Sequence, residues 1–357
     1  MAAIVGGIGT SHSPMLALSG DQWAEYALRD RANPELVFPP DGVVRSFHEA
    51  VEQVPAEIRE RPRTVEVFRA QSSRCQRAIE ALGAAVQALS PDIAVIFSDD
   101  QDEWFYDDLM PAIAIYWGAT VPLIPRRPMG DTEVDRAIAR GYGDRELEVP
   151  VASELARWII DHLMERDFDI AQFSEIREQY GGRLVRRLPL PGGGETARAR
   201  VTPPHRQGLP HGFAFVVYRL FGNRPIPIVP IVINTFYPPN QPSPRRVFQL
   251  GQAVAEAIAE WPQSARVVVI GSGGLSHFVV DEPLDRAVLA ALAEKDAPRL
   301  QTLPKARLLS GSSEIRNWVA VGGAMQGLPL QFELVDYVPV YRSEAGTGGG
   351  WAFATWR

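Results

Sequence analysis

The sequence predicts an α/β fold in which a central, mostly parallel β-sheet is flanked by helices. Short apolar segments alternate with longer segments of helical periodicity, which is typical of this class. The segment 266–270 is the clearest central strand because it is apolar and β-branched at nearly every position. The chain has 357 residues, of which 46% are hydrophobic and 22% charged, and no composition shift marks a boundary. We therefore expect residues 1–357 to form one large domain.

The other elements follow from apolar runs and from the Pro and Gly residues between them. Strands are predicted over 3–8, 93–97, 112–117, 169–174 and 226–233. Helices are predicted over 63–89, 151–165, 283–295 and 314–325, and after Pro244. The stretches 119–150 and 181–210 are rich in Pro, Arg and Gly and are predicted to be loops, the first of them a candidate lid. A glycine-rich tail ends the chain.

The helix over 63–89 carries its apolar residues three and four positions apart, which predicts a buried face. That stripe consists of Val65, Phe68, Ser72, Cys75, Ile79, Leu82, Val86 and Leu89. Cys75 is the only cysteine, which excludes an internal disulfide and a zinc or iron–sulfur site built from cysteines. Its position in the stripe predicts an inert core thiol.

Charge and hydropathy exclude several classes of protein. The net charge of −7 argues against a nucleic-acid surface, since phosphate contacts need clustered Lys and Arg. The pairs Arg126-Arg127 and Arg186-Arg187 are interpreted as solvated loop charges. No secretory signal pattern opens the chain, and no apolar run approaches the ~20 residues that span a bilayer. We therefore expect a cytoplasmic protein that does not enter a membrane.

The histidines point to a functional site. Three of the six close short segments that contain glycine and are predicted as turns after strands, namely His12, His211 and His277. Open α/β sheets build their sites from loops beyond the carboxyl ends of strands. Imidazole suits both metal ligation and proton transfer near neutral pH, so an enzyme is the leading prediction. His162 and His205 lack such a setting and are predicted to lie on the surface.

The glycines near these histidines do not form a nucleotide-binding loop. The run Gly6-Gly7-Ile8-Gly9 lacks the dinucleotide fingerprint, because His12 stands where its last glycine would be. The segment 271–277 lacks the Lys-Ser/Thr pair of a phosphate-binding loop. Its glycines instead let the backbone turn sharply after a buried strand, so that Ser276 and His277 are presented over the sheet edge.

Two acidic segments are candidates to complete a metal site. In 98–103, several carboxylates follow a predicted strand and repel one another unless a cation or hydrogen-bond donors compensate. A solvated acidic loop is the alternative. The second candidate is Glu314, in the first turn of a helix capped by Ser312 or Ser313, where the helix dipole also favours a carboxylate.

Taken together, these segments resemble the class III extradiol ring-cleavage dioxygenases, the superfamily of protocatechuate 4,5-dioxygenase β-subunits. The matching segments, in the family's order, are 10–14, 93–101, 210–213, 271–277 and 314–318. From the first segment to the last, the resemblance extends over most of the chain. The segment 234–242 is most similar to the single-chain branch that contains 3-O-methylgallate dioxygenases.

The resemblance implies a non-haem Fe(II) enzyme that opens an aromatic ring with O2. His12 matches the first iron ligand and Glu314 the last, whereas His211 and His277 match the acid–base pair. One of these two histidines would remove a phenol proton and the other would supply a proton as the ring opens; we favour His277 as the base. The implied substrate is a catecholic or gallate-type acid such as 3-O-methylgallate, gallate or protocatechuate.

The chain departs from the family at the middle ligand, where Asp100-Gln101 replaces the usual Asp-His. Gln101, Asp100 or water would fill this position. We favour Gln101 because of its place in the match, although a neutral amide oxygen is a weaker ligand than imidazole. Arg245 and Arg246 are candidates to clamp a substrate carboxylate, and surface charge at the start of a helix is their alternative interpretation.

Two other functions remain open at this stage. A cluster of His12, Asp100 and Glu314 would also support a metal-dependent hydrolase that uses zinc-bound water. A relative that has lost its metal would bind aromatic acids without catalysis. Oxygen uptake and bound metal separate these functions. A homodimer is expected because it is the commonest assembly, and a small partner subunit, as some relatives use, stays open.

Overall fold

The computed structural model describes residues 1–34, 36–106, 109–128, 130–176, 182–189, 195–202, 208–222 and 224–357. Over 182–189 and 195–202 it describes the backbone alone. His205 and the side chains of Arg186 and Arg187, on which predictions were made, lie outside the described residues.

The strands in the described residues pair in one large sheet and three small ones. They are β1 (Ala3–Thr10), β2 (Val37–Phe38), β3 (Val43–Val44), β4 (Ile93–Ser98), β5 (Ile113–Tyr116), β6 (Thr120–Leu123), β7 (Leu147–Pro150), β8 (Ala171–Phe173), β9 (Gly182–Pro189), β10 (Glu195–Thr202), β11 (Ile228–Ile233), β12 (Arg266–Ser272), β13 (His277–Val279), β14 (Phe332–Tyr341) and β15 (Thr347–Trp356).

The α-helices of the described residues lie between these strands. They are α1 (Trp23–Ala27), α2 (Phe47–Gln53), α3 (Ala56–Arg59), α4 (Val65–Leu89), α5 (Glu133–Arg140), α6 (Ser153–Met164), α7 (His211–Arg219), α8 (Pro244–Glu260), α9 (Glu282–Ala293), α10 (Ala297–Gln301) and α11 (Ile315–Met325). Among the described residues, no helix combines the length and the apolar composition needed to cross a membrane.

The large sheet has the strand order β13-β15-β1-β12-β4-β11-β5-β8, with β14 paired to β15. Its centre, from β1 to β11, is parallel. Towards one edge β15 runs antiparallel to β1, and towards the other β5 runs antiparallel to β11. The predicted α/β fold with a central, mostly parallel sheet flanked by helices is confirmed.

Both faces of the central sheet are buried, which explains why these strands are apolar at nearly every position. In β12, Val267 and Val269 belong to a core layer with α8 and α11. Val268 and Ile270 belong to the opposite layer, with α4 and α7. The sheet is therefore held from both sides, and its strand ends are fixed in position.

The predicted loops over 119–150 and 181–210 and the predicted tail are wrong. The first contains α5 between the paired strands β6 and β7, the second contains the paired strands β9 and β10, and the tail is β15, which is buried at every position. Glycine in β15 makes room for close neighbours rather than flexibility, since a Cβ on Gly350 would lie 1.8 Å from Asp285 Oδ2. The single sequence does not reveal such close contacts.

Two predictions about single side chains have opposite outcomes. Cys75 on α4 is fully buried, and burial raises the pKa of its thiol to about 12, so the inert core thiol is confirmed. His162 is predicted to be on the surface but is buried on α6, with its Nδ1 3.5 Å from Glu260 Oε2 on α8. The helix was correctly predicted, but the face that packs against α8 was not.

Close packing of α8 against α11 gives the first testable prediction. A Cβ on Gly251 would lie 1.9 Å from the carbonyl oxygen of Ala320, so Gly251→Ala should lower the free energy of unfolding by about 1–3 kcal/mol. The matched control is Gly83→Ala in α4, whose Cβ would meet its nearest neighbour at an ordinary 3.4 Å. Urea denaturation should show the control unchanged or more stable by up to about 1 kcal/mol. Equal stability of the two variants would contradict the prediction.

Candidate metal centre

Loops at the carboxyl ends of the parallel strands bring residues that are distant in sequence to one edge of the sheet. His12 follows β1, and Asp99 follows β4. His277 begins β13, five residues after β12 ends, and His211 is the first residue of α7. Glu314 ends the 3-10 turn Ser310–Glu314 and is the residue before α11, so it lies just ahead of the helix rather than in its first turn.

Glycines allow these loops to approach one another. Gly273 and Gly274 turn the chain after β12 with φ of +141° and +58°, and the Gly274 amide donates to Glu314 Oε2 at 2.8 Å. Gly212 follows His211 directly, and a Cβ there would lie 2.0 Å from Ser98 Oγ and 2.7 Å from His12 Cε1. Because the residues beside these side chains are glycines, the loops can approach one another closely and bring the side chains of the site together.

Four buried side chains form a compact group that we call the His–carboxylate cluster. Their candidate ligand atoms all lie within 4.8 Å of one another, and the members are His12, Asp99, His211 and Glu314. Imidazole and carboxylate donors bind divalent transition metals. His277 lies beside the cluster, with its Nε2 3.2 Å from Glu314 Oε1.

His12 presents an unprotonated nitrogen to the cluster. Its Nδ1 lies 3.0 Å from Ser272 Oγ, and that hydroxyl donates its only proton to the Gly212 carbonyl at 2.9 Å. His12 Nδ1 is therefore the donor, and Nε2 carries a lone pair. Burial lowers the pKa of His12 to about 3, so the ring is neutral at physiological pH.

His211 also presents a lone pair to the cluster. Its Nδ1 lies 2.8 Å from Glu103 Oε2, which only accepts, so Nδ1 carries the proton. Burial lowers the pKa of His211, which favours the neutral ring. Its Nε2 then faces His12 Nε2 across 3.0 Å, with Glu314 Oε2 3.5 Å from His12 Nε2. Two lone pairs beside a carboxylate repel unless a proton or a metal ion lies between them, so the donor set fits a divalent cation.

His277 is in the opposite protonation state. Its Nδ1 lies 3.0 Å from the Leu275 carbonyl and its Nε2 faces Glu314, so both nitrogens face acceptors and both carry protons. Burial alone would lower the pKa of His277, but the charge and hydrogen bond of Glu314 raise it above its ordinary value. For Glu314, burial acts to raise the pKa, whereas the neighbouring histidines lower it to about 2, so it is ionised. His277 thus holds a proton beside the cluster.

The acidic segment after β4 is not a solvated loop. Asp99 and Asp100 are at most 2% exposed, and burial raises the pKa of each to about 7, with the charge of Glu314 adding to the shift at Asp99. Asp100 accepts from the backbone amides of Trp104 and Phe105 at 2.7 and 3.1 Å, so its carboxylate shapes the loop. Asp99 is the one that faces the cluster.

Gln101, the predicted middle ligand, lies beside the cluster with its amide nitrogen towards it. That nitrogen is 2.9 Å from Glu314 Oε1 and 3.1 Å from Asp99 Oδ2. Ionised Glu314 can only accept hydrogen bonds, so the nitrogen is the atom that the chemistry requires beside it. The atom of Gln101 next to both carboxylates is thus the nitrogen and not the oxygen, which is the atom that could bind a metal.

Arg245 and Arg246, predicted to clamp a substrate carboxylate, are not among the residues that line the cavity next to the cluster. Arg245 is exposed, and Arg246 donates to the Asp167 carbonyl at 2.6 Å with its guanidinium 3.9 Å over the Phe168 ring. The surface interpretation of Arg245 thus agrees with the structure, and Arg246 is held against a neighbouring turn.

The cavity has a volume of about 240 Å³, enough for one substituted ring, since a cavity of about 150 Å³ holds benzene. One wall carries Arg126 and Arg127, which were interpreted as solvated loop charges. Arg126 contacts the carboxylate of Glu103, and its guanidinium lies 5.2 Å from the Tyr142 ring centroid. The sequence contains no signal for this placement, because it depends on the packing of the segment between β6 and β7.

Comparison with known proteins finds a matching family and several relatives. Residues 62–346 match the family model described as the catalytic LigB subunit of aromatic ring-opening dioxygenase. A curated 2,3-dihydroxyphenylpropionate/2,3-dihydroxicinnamic acid 1,2-dioxygenase of Xanthobacter autotrophicus is 30% identical over 195 residues, which are 54% of this chain and 46% of that protein. The enzymes of the same name from Comamonas testosteroni and Burkholderia vietnamiensis are 29% and 27% identical, over 56% and 67% of this chain and 48% and 62% of their own. The chain thus spans about half the length of the curated relatives it matches.

Proposed function

Because this chain belongs to the family of catalytic LigB subunits of aromatic ring-opening dioxygenases, we propose that it opens the ring of an aromatic acid with two vicinal hydroxyl groups, using O2 and Fe(II). The observation that carries the proposal is the His–carboxylate cluster at the base of a cavity the size of one ring. Family membership favours this function over a hydrolase or a non-catalytic binding protein.

His12 and Glu314 would hold the iron, because each presents an unprotonated donor to the cluster. When bound, the metal supplies Lewis acidity and open positions for two phenolic oxygens and O2. The side chains of the protein supply proton transfer. His277 is positioned to donate the proton it holds beside Glu314 as the ring opens. The geometry therefore favours His277 as the acid, whereas the sequence alone led us to favour it as the base.

The substrate is an acid in this proposal because the cavity wall carries Arg126 and Arg127. Guanidinium groups bind carboxylates through paired hydrogen bonds. The relatives named above act on 2,3-dihydroxyphenylpropionate, and the gallate-type acids expected from the sequence share the same two features, vicinal hydroxyls and a carboxylate. The gallate branch itself stays a prediction.

Oxygen consumption tests the proposal. Protein loaded with iron under anaerobic conditions is supplied with O2 and with protocatechuate, gallate, 3-O-methylgallate or 2,3-dihydroxyphenylpropionate. We expect one O2 consumed per ring opened, with a new absorbing product, for at least one acid. The same acid with one hydroxyl methylated, so that no vicinal pair remains, should give no uptake. Folded, iron-loaded protein that consumes no oxygen with any of the four acids would contradict the proposal.

Arg126→Leu tests the carboxylate anchor. Loss of a charge-assisted hydrogen bond costs about 1.5–3 kcal/mol, so kcat/KM for the acid should fall about 10- to 100-fold. For an uncharged catechol kcat/KM should fall less, since only the contact of Arg126 with Glu103 is lost. The matched control is Arg246→Leu, which removes an arginine outside the cavity. An equal loss for acid and uncharged diol, or a selective loss only in the control, would contradict the assignment of Arg126.

A further inference from the structure

We propose that His211 is itself a metal ligand in this chain, that Glu103 orients it, and that His211 takes the ligand position which the sequence resemblance assigns to residue 101. The inference rests on the proposed function only in that the cluster holds a metal. It changes the role of His211 from the acid–base function that the sequence resemblance implies.

The Glu103–His211 pair has the form of a supported metal ligand. Glu103 accepts from His211 Nδ1 at 2.8 Å and from the His211 backbone amide at 2.9 Å, which fixes both the ring and its tautomer. Histidines that bind metals usually donate their other ring N–H to a carboxylate or carbonyl in this way. His12 is supported similarly by Ser272. Both rings therefore direct an unprotonated Nε2 at the same point.

The distances favour His211 over the other candidates for the third position. His211 Nε2 lies 3.0 Å from His12 Nε2, whereas Gln101 turns its amide nitrogen, not its oxygen, to Glu314. His277 is excluded because both its nitrogens donate to acceptors. The proposed ligands are therefore two histidines and one carboxylate, namely His12, His211 and Glu314. Many non-haem Fe(II) oxygenases bind their metal with this donor set. Asp99 is the remaining donor of the cluster.

Gln101 acquires a different function in this arrangement. Its amide donates to Glu314 and to Asp99, so it holds two buried carboxylates at the positions in which they face the histidines. A histidine at this position would compete with His211 for the metal. Gln101 thus supports the two carboxylates, and His211 supplies the imidazole to the metal.

Cobalt binding tests the proposal without any need for turnover. Full-length protein freed of metal is titrated with Co²⁺ under anaerobic conditions, and affinity and the visible absorption spectrum are measured. His211→Gln should weaken binding by more than 100-fold and change the spectrum, because a ligand is lost. Glu103→Gln should weaken binding by about 10- to 100-fold and leave the spectrum close to that of wild type.

The matched control is His48→Gln, which alters a histidine whose side chain is 89% exposed and should leave affinity and spectrum at the wild-type level. Circular dichroism of each metal-free variant checks that it is folded. Wild-type affinity and spectrum in folded His211→Gln would overturn the proposal. Cobalt bound through His211 in a protein that consumes no oxygen would support this proposal and contradict the proposed function.

Discussion

Replacing His12 by alanine should remove both metal binding and ring opening. His12 Nε2 lies 3.0 Å from His211 Nε2 and 3.5 Å from Glu314 Oε2, so two other donors of the cluster face it. Loss of a residue that merely supports a ligand costs 10- to 100-fold in metal affinity. We therefore expect His12→Ala to weaken iron binding by more than about 100-fold and to lower oxygen uptake by at least as much.

Iron content after anaerobic loading and oxygen uptake with the best acid are the two measurements. The control is His48→Ala, since His48 has a side chain 89% exposed and pairs with Glu52 one turn further along the same helix. His48→Ala should retain both properties. Stoichiometric iron and undiminished uptake in folded His12→Ala would remove His12 from the metal site and would contradict the assignment of the cluster as the catalytic centre.

Much of the fold follows from local sequence. Strands such as β12 and helices such as α4 carry periodicities that tertiary packing only reinforces. The convergence of His12 and Asp99 could also be anticipated, because both follow parallel strands, and loops after parallel strands meet at one edge of a sheet. His211 and Glu314 instead enter the cluster from the starts of α7 and α11. These predictions depend on the direction of each strand and on the spacing of apolar residues along the chain. Both can be read directly from the sequence.

Contacts between distant segments could not be predicted in the same way. Glu103 is 108 positions from His211, and nothing in either segment indicates that the two side chains pair. The orientation of Gln101 depends on two carboxylates, Glu314 and Asp99, whose charges exist as neighbours only after folding. Arg126 and Arg246 both lie in Pro-Arg-Arg segments of the sequence. Only the folded structure shows that Arg126 lines the cavity and that Arg246 contacts the turn at Asp167.

Replacing His277 by glutamine should separate catalysis from metal binding. The glutamine can still donate to Glu314 but cannot transfer a proton, so kcat should fall by about 10²- to 10⁴-fold. Iron content should stay at the wild-type level. A fall in kcat that is accompanied by loss of iron would instead mean that His277 holds the metal site together.

The dependence of kcat on pH distinguishes the roles of His277 as acid and as base. Glu314 raises the pKa of His277 above its ordinary value, and an acid must be protonated to act. The kcat of the wild type should therefore be constant at low pH and fall as pH rises through that pKa, whereas the remaining kcat of His277→Gln should lack this fall. A kcat that instead rises through the same pKa, and a rise that the variant lacks, would make His277 the base. Because His211 Nε2 is committed to the metal in the arrangement proposed above, His277 is the histidine from which such a titration is expected.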